Sequence, residues 1–174
     1  MEWELINPDE IYGLLGDDVV LIPLRRGSKK PLNKGWQDLT IEESKSKAHQ
    51  KRIQGQVNLG VVLGENSNGL CTVDIDSDDL IEPFLNDNPF MRKTLQTKGK
   101  RGANFWFRAK GQIPRVIPIK GFGELRGTGG QTVISGKHPD GPMYRIIHEA
   151  KPVRIDIREL EFPTGTLYPP PSSL

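Results

Sequence analysis

The stretch Gly69-Leu70-Cys71-Thr72-Val73-Asp74-Ile75-Asp76 constrains what this chain can fold into more than any other. Leu70 to Val73 and Ile75 are small, apolar or β-branched, the composition of a buried strand. Side chains alternate faces along a strand, so Asp74 and Asp76 leave one face while Ile75 points into the core. Two like charges side by side at the end of an apolar strand raise each other's pKa. A divalent cation between them relieves the repulsion, and oxygen ligands of this kind suit Mg²⁺ or Mn²⁺. The same letters also fit a strand running out into an acidic turn. Ser77, Asp78 and Asp79 follow at once, and acids are favoured in a first helical turn.

The 174 residues suffice for one domain with a real core. Nineteen glycines and 14 prolines imply many turns, and so an α+β or β-rich layout rather than a helical bundle. No apolar run approaches the roughly 18 residues of a membrane helix, and the first residues lack the pattern of a secretory signal. One cysteine excludes an intrachain disulfide framework and points to the cytoplasm; within its strand, Cys71 reads as packing. The net charge of +2 selects no partner. Its distribution says more: basic residues gather at 25–34, 45–52 and 98–101, which is compatible with a polyanionic partner without establishing one.

Along the chain, Asn7-Pro8-Asp9-Glu10 reads as a helix cap, with the helix stopping at Gly16. Asp18 to Leu24 is a strand, followed by an extended loop through Lys29-Lys30-Pro31 and Gly35-Trp36. Thr40-x-x-Glu43 is a capping box opening a lysine-rich helix to about Ile53. Val57 to Leu63 is an apolar strand, and the turn formers Gly64 to Gly69 join it to the carboxylate strand as a hairpin. A short helix follows Asp78. Further strands cover 103–107, 123–127, 131–135 and 143–147, with 113–119 an edge strand or loop and 153–157 a last strand or strand–helix junction. The expected organisation is a domain over 1–162 and a proline-rich tail or linker over 163–174.

Polar clusters flanked by glycine lie at the ends of these strands. They are Asp74/Asp76, Lys98-Gly99-Lys100-Arg101-Gly102, Glu124-Leu125-Arg126-Gly127 and Ser135-Gly136-Lys137-His138. Glu124 is the natural third carboxylate, and three carboxylates with phosphate oxygens can hold one or two metal ions for in-line phosphoryl or nucleotidyl transfer. Arg126 shares the face of Glu124, placed either to reach a triphosphate or to form a same-face ion pair. Backbone N–H groups of Ser135, Gly136 and Lys137 can cradle phosphates, with Lys137 and His138 adding charge or donors. Trp106 opposes Phe105 and Phe107 and serves either base stacking or core packing. His49 and His148 read as structural.

In order along the chain, these segments resemble the archaeo-eukaryotic primase superfamily, and most closely the bifunctional primase/polymerase (Prim-Pol) N-terminal domain of phage, plasmid and integrated-element replication proteins. The pieces are Ile22-Pro23-Leu24, Lys29-Lys30-Pro31, Gly35-Trp36, Asn58-Leu59-Gly60-Val61, Val73 to Asp76, Thr97, Arg101-Gly102, Phe105-Trp106-Phe107, Glu124 to Gly127, and Gly141 to Tyr144. The resemblance implies an RRM-like, mixed or antiparallel catalytic sheet with packed helices and a small N-terminal α/β portion. It puts the catalytic metal ligands at Asp74, Asp76 and Glu124. The histidine that the family carries on its aromatic strand falls on Asn104, a departure, since asparagine donates a neutral hydrogen bond but carries neither proton nor charge.

The implied activity is that of a DNA primase/polymerase, a template-directed nucleotidyltransferase using Mg²⁺ or Mn²⁺. Asn104, Arg126, Ser135, Lys137 and His138 would bind the nucleoside triphosphate. Lys98, Lys100, Arg101, Lys29 and Lys30 would meet a single-stranded DNA template, with a helicase domain or protein as a further partner and no membrane association. Asn104 also supports an alternative, a catalytically weakened module that binds single-stranded DNA or nucleotide in a replication-initiation protein.

Overall fold

The computed structural model describes residues 7–55 and 58–163, so the expected proline-rich tail lies, beyond Pro163, outside the described residues. The first helix, α1 (Pro8–Leu15), starts where expected: the Asn7 side chain accepts from the Glu10 N–H, and the chain leaves the helix at Gly16. The capping box at Thr40 and Glu43 forms in both directions. The lysine-rich helix it opens is not continuous, however. It breaks into α2 (Ile41–Ser44) and α3 (Lys47–Ile53) because Ser46 caps a second start by accepting from the His49 N–H. The exposed Lys47, Lys51 and Arg52 give α3 a solvated face.

Among the described residues, ten strands form two sheets. The smaller sheet has the order β1-β2-β8, formed by Val20–Leu24, Asn58–Val62 and Gln131–Ser135, all antiparallel. The larger runs β6-β7-β3-β5-β4-β9. Its strands are β3 (Leu70–Ile75), β4 (Gln96–Lys98), β5 (Ala103–Ala109), β6 (Ile117–Ile119), β7 (Gly123–Arg126) and β9 (Arg145–His148). This path is antiparallel throughout, and β10 (Val153–Ile155) adds a parallel pairing to β5. The architecture is α+β, with antiparallel sheets and few helices.

The expected hairpin between β2 and β3 does not form. β2 lies between β1 and β8, whereas β3 lies between β7 and β5 in the other sheet. Both edges of β2 are already hydrogen-bonded, so the chain turns away through Gly64 and Asn68, both at positive φ, keeping only an isolated bridge from Gly64 to Leu70.

Alternation along β3 sorts the core. Cys71, Val73 and Ile75 face one side with Phe105, Leu125 and Phe84 of α4 (Ile81–Asp87). Leu70 faces the other side with Trp106, packed against Leu21, Leu59, Val61 and Ile134 of the smaller sheet and against α1. Trp106 is fully buried and its indole N–H donates to Thr97 Oγ1 at 2.9 Å, which settles it as core. Val20, Ile22, Val62 and Val133 on the outer face of the smaller sheet are covered by Trp36, Leu39 and Ile41. His49 (Nε2 to Leu21 O, 2.6 Å) and His148 (Nδ1 to Thr94 O, 2.8 Å) tie backbone carbonyls, and Cys71 is buried, all as expected.

Candidate functional site

Register brings the first polar residues together. Asp74 pairs directly with Glu124 on β7 and with Asn104 on β5, giving a row Glu124–Asp74–Asn104 across neighbouring strands. Two glycines let the flanking backbones close on the end of β3. A Cβ on Gly102 would lie 1.7 Å from the Ile75 carbonyl oxygen, and one on Gly123 would lie 1.8 Å from that of Asp74. Both glycines have positive φ. The tight fit exposes Asp76 beyond the last strand pair, its N–H donating to Phe122 O at 2.9 Å.

Asp74 and Asp76 floor a cleft of about 450 Å³. Lys29, Lys100, Arg101, His138 and Asp140 wall it. Lys29, Lys100 and Arg101 are exposed, so the cleft combines carboxylates below with exposed cations above. Asn58 fixes the lip. Its side-chain amide donates to Ser28 O at 3.1 Å and Lys137 O at 2.7 Å, and its carbonyl accepts from the Lys137 N–H at 3.0 Å. One buried asparagine thus ties the loop bearing Lys29 to the turn bearing His138. The Lys137 N–H is consequently spent on Asn58 rather than offered to a phosphate, and the exposed Lys137 side chain is what that residue presents. Ser135 is buried at the end of β8.

His138 has a defined tautomer. The Asp140 N–H donates to its Nδ1 at 3.0 Å, so the neutral ring carries its proton on Nε2. Burial holds its pKa below the usual histidine value, Lys29 and Lys100 push the same way, and Asp140 opposes them. Asp140 also pairs with Lys100 at 3.5 Å. Neither Asp140 nor Asn58 was singled out for the site from the residues alone; the signal for Asn58 is a polar residue opening an apolar strand.

Arg126 does not reach into the cleft. Its Nη2 donates to Asp74 Oδ2 at 2.9 Å and its Nε to Glu124 Oε1 at 3.0 Å, with Nη1 3.4 Å from Thr132 Oγ1. The Thr132 hydroxyl in turn shares a 2.8 Å hydrogen bond with Thr72, joining the two sheets beneath the site. Burial raises the Asp74 pKa; Arg126 opposes this, and Asp76 and Glu124 add to it. Lys98, expected on the nucleic-acid surface, is ion-paired with Asp78, which also accepts from the Gly102 N–H at 2.8 Å. That pair shapes the 98–102 loop. Lys30 is exposed but outside the cleft lining.

Two buried polar atoms beside this row have no hydrogen-bond partner among the described residues: the Asn104 side-chain oxygen and the Tyr144 hydroxyl. Tyr144 is 7 % exposed, its ring lies 5.6 Å from that of His138, and burial pushes its pKa up to about 12.

The donor set suits a hard divalent cation, since Asp74 and Asp76 offer carboxylate oxygens on one face of the cleft and Glu124 stands across the strand pair. Among the described residues, no three acidic, histidine or cysteine side chains converge as a ready set of ligands. Arg126 holds Asp74 and Glu124 instead. No helix among the described residues is long and apolar enough to cross a membrane.

Comparison with family models matches residues 14–161 to the bifunctional DNA primase/polymerase, N-terminal model. Comparison with curated proteins finds no match.

Proposed function

The chain belongs to the bifunctional DNA primase/polymerase N-terminal (Prim-Pol) family, and from that premise we propose that it is a template-directed nucleotidyltransferase. It would serve a replication protein of a phage, plasmid or integrated element, adding nucleotides to a 3′-hydroxyl on a single-stranded DNA template. The observation that carries this reading is the pair Asp74/Asp76 on one face of a cleft walled by Lys29, Lys100 and Arg101. In this reading, residues 1–162 form the catalytic domain, with an RRM-like core, working in the cytoplasm alongside a helicase domain or protein.

Asp74, Asp76 and Glu124 would hold the Mg²⁺ or Mn²⁺. Bound there, such ions make the 3′-hydroxyl more acidic and neutralise charge on the phosphates. His138 offers Nε2–H to the triphosphate as a neutral donor, because the Asp140 N–H occupies Nδ1. It orients phosphate oxygens and takes no proton from the nucleophile. The Lys137 and Arg126 side chains add charge to the triphosphate, with Ser135 and Asn104 as further contacts. Asn104 stands opposite Asp74, where the family's histidine falls, and supplies an amide in place of an imidazole. Lys29, Lys30, Lys100 and Arg101 draw the template backbone in by its charge, so binding weakens steeply with salt. Lys98 acts indirectly, by fixing the loop that carries Lys100 and Arg101.

The test is primer extension and de novo synthesis on single-stranded template with Mg²⁺ or Mn²⁺, comparing wild type with Asp74→Asn. Loss of incorporation by at least about 10³-fold, equivalent to about 4 kcal/mol, is expected in a variant that stays folded. An Asp74→Asn protein that still incorporates nucleotides sinks the assignment. Asn104 favours a second reading, a binding module without catalysis. Wild type that binds single-stranded DNA regardless of metal, and incorporates nothing, would establish that reading instead.

A further inference from the structure

The guanidinium of Arg126 bridges the two carboxylates that face each other across β3 and β7, with 2.9 Å to Asp74 and 3.0 Å to Glu124. All three side chains are partly buried, 22 to 33 % exposed, so solvent screens this contact less than a surface pair. A guanidinium and a divalent cation want the same thing from a carboxylate, its oxygen lone pairs. Whatever Arg126 occupies on Asp74 is unavailable to a metal ion, and the reverse. Next to this bridge lie the unpartnered Asn104 oxygen and Tyr144 hydroxyl. Burying a polar group without a partner is costly, because its lost hydration is not replaced. The bridged arrangement therefore leaves donors and acceptors waiting beside the carboxylates, the mark of a site with a second arrangement.

We infer that Arg126 is a resident counter-ion of Asp74 and Glu124 which an incoming divalent cation must displace, and that nucleoside triphosphate eases the displacement by taking up the released guanidinium. The identities of cation and anion rest on the Prim-Pol reading; the competition and the coupling go beyond it. A planar fork that grips two carboxylates grips phosphate oxygens equally well, so the triphosphate offers Arg126 an alternative partner. Metal and nucleotide then bind cooperatively, each raising the affinity of the other by the same factor. In this scheme Arg126 keeps the carboxylates neutralised and apart from metal until substrate arrives, and then holds the triphosphate.

The test is Mn²⁺ binding to the full chain, read as free Mn²⁺ by electron paramagnetic resonance, with and without a non-hydrolysable deoxynucleoside triphosphate. Wild type is expected to bind Mn²⁺ at least about tenfold more tightly when the nucleotide is present. Arg126→Met is expected to bind Mn²⁺ alone about tenfold more tightly than wild type, to lose most of the nucleotide enhancement, and to incorporate nucleotides poorly. Arg126→Lys keeps the charge but cannot bridge two carboxylates with a fork. It should tighten Mn²⁺ binding in the same direction, by a few-fold, and it carries the test should the methionine variant not fold. A purely structural arginine would change the melting temperature without strengthening metal binding. If wild type incorporates nucleotides and neither variant binds Mn²⁺ more tightly, the counter-ion role is overturned and the polymerase reading stands. If wild type binds no Mn²⁺ with nucleotide and incorporates none, both fall together.

Discussion

The two faces of β3 are built from alternate residues of one short strand, yet they obey different rules. On one face Cys71, Val73 and Ile75 meet Phe84, Phe105 and Leu125, every one of them buried. Phe84 and Phe105 stack tilted at 5.4 Å between ring centroids, and nothing on this face needs a partner of particular charge. On the other face the Thr72 hydroxyl is bonded to Thr132 and the Asp74 carboxylate to Arg126, with Glu124 and Asn104 opposite Asp74 on the neighbouring strands. The apolar face gains by area and tolerates no void; the polar face keeps like charges together and leaves two atoms unpaired. Stability is invested on one side of the pleat, and the capacity to change partners on the other.

Substitutions should break along that line. The largest loss of stability is expected for Phe105→Ala, about 3–5 kcal/mol in urea unfolding, because it opens a cavity between β3 and α4. A loss below about 1 kcal/mol, a scale set by volume-conserving swaps, would show that this face is not the frame. Asp74→Asn, which abolishes incorporation in the proposed reaction, should by contrast shift stability by no more than about 1 kcal/mol, since it replaces a crowded carboxylate with an isosteric amide. Tyr144→Phe goes further. Removing a buried hydroxyl that has no partner among the described residues should leave thermal stability unchanged or raise it by up to about 1 kcal/mol, whereas most core changes lower it. A clear destabilisation would mean that the hydroxyl is bonded in solution.

The smallest effect is pH-dependent. His138 is held below its ordinary value of 6.5, chiefly by burial. Between that value and the lowered one, the unfolded chain binds a proton that the folded chain refuses. Stability from this residue is thus complete above 6.5 and declines as the solution is acidified through the window. Replacing His138 with Asn should flatten that part of the stability profile; an unchanged slope would assign it to other groups.

Much of this was legible in the residues. Local signals held where the physics is local: the Asn7 cap, the Thr40 capping box, the strands around Asp74 and Glu124, and the alternation that puts Trp106 opposite Phe105. The break at Ser46 was readable too, since a serine three residues before His49 is a cap in its own right. What escaped was long-range pairing. Turn formers between Leu63 and Leu70 look like a hairpin because their chemistry specifies that the chain turns, not which sheet it joins afterwards. The exact opposition of Asp74 with both Glu124 and Asn104 depends on the register of three strands distant in sequence. Arg126 on the face of Glu124 was visible as either an ion pair or a phosphate ligand. Its hold on Asp74 as well appears only once β7 lies against β3. Tyr144 was visible only as the end of the Gly141-to-Tyr144 piece and Asp140 carries no local mark, because their place at the site comes from what the 98–102 loop and the 136–144 turn bring beside them.

Strand β8 lies in the smaller sheet, while its neighbours along the chain, β7 and β9, lie in the larger. The polypeptide therefore crosses between the sheets on entering β3, on entering β8 and again on leaving it. Neither sheet can be finished until segments far apart in the chain have met, so closing entropy must be spent before most pairings reward it. Such wiring favours slow, all-or-none assembly over stepwise growth from one end. A nascent chain halted before Gln131 would hold both carboxylate strands yet lack the threonine that steadies their arginine. Cooperativity here guards the site: its chemistry becomes available only when the last crossing is made.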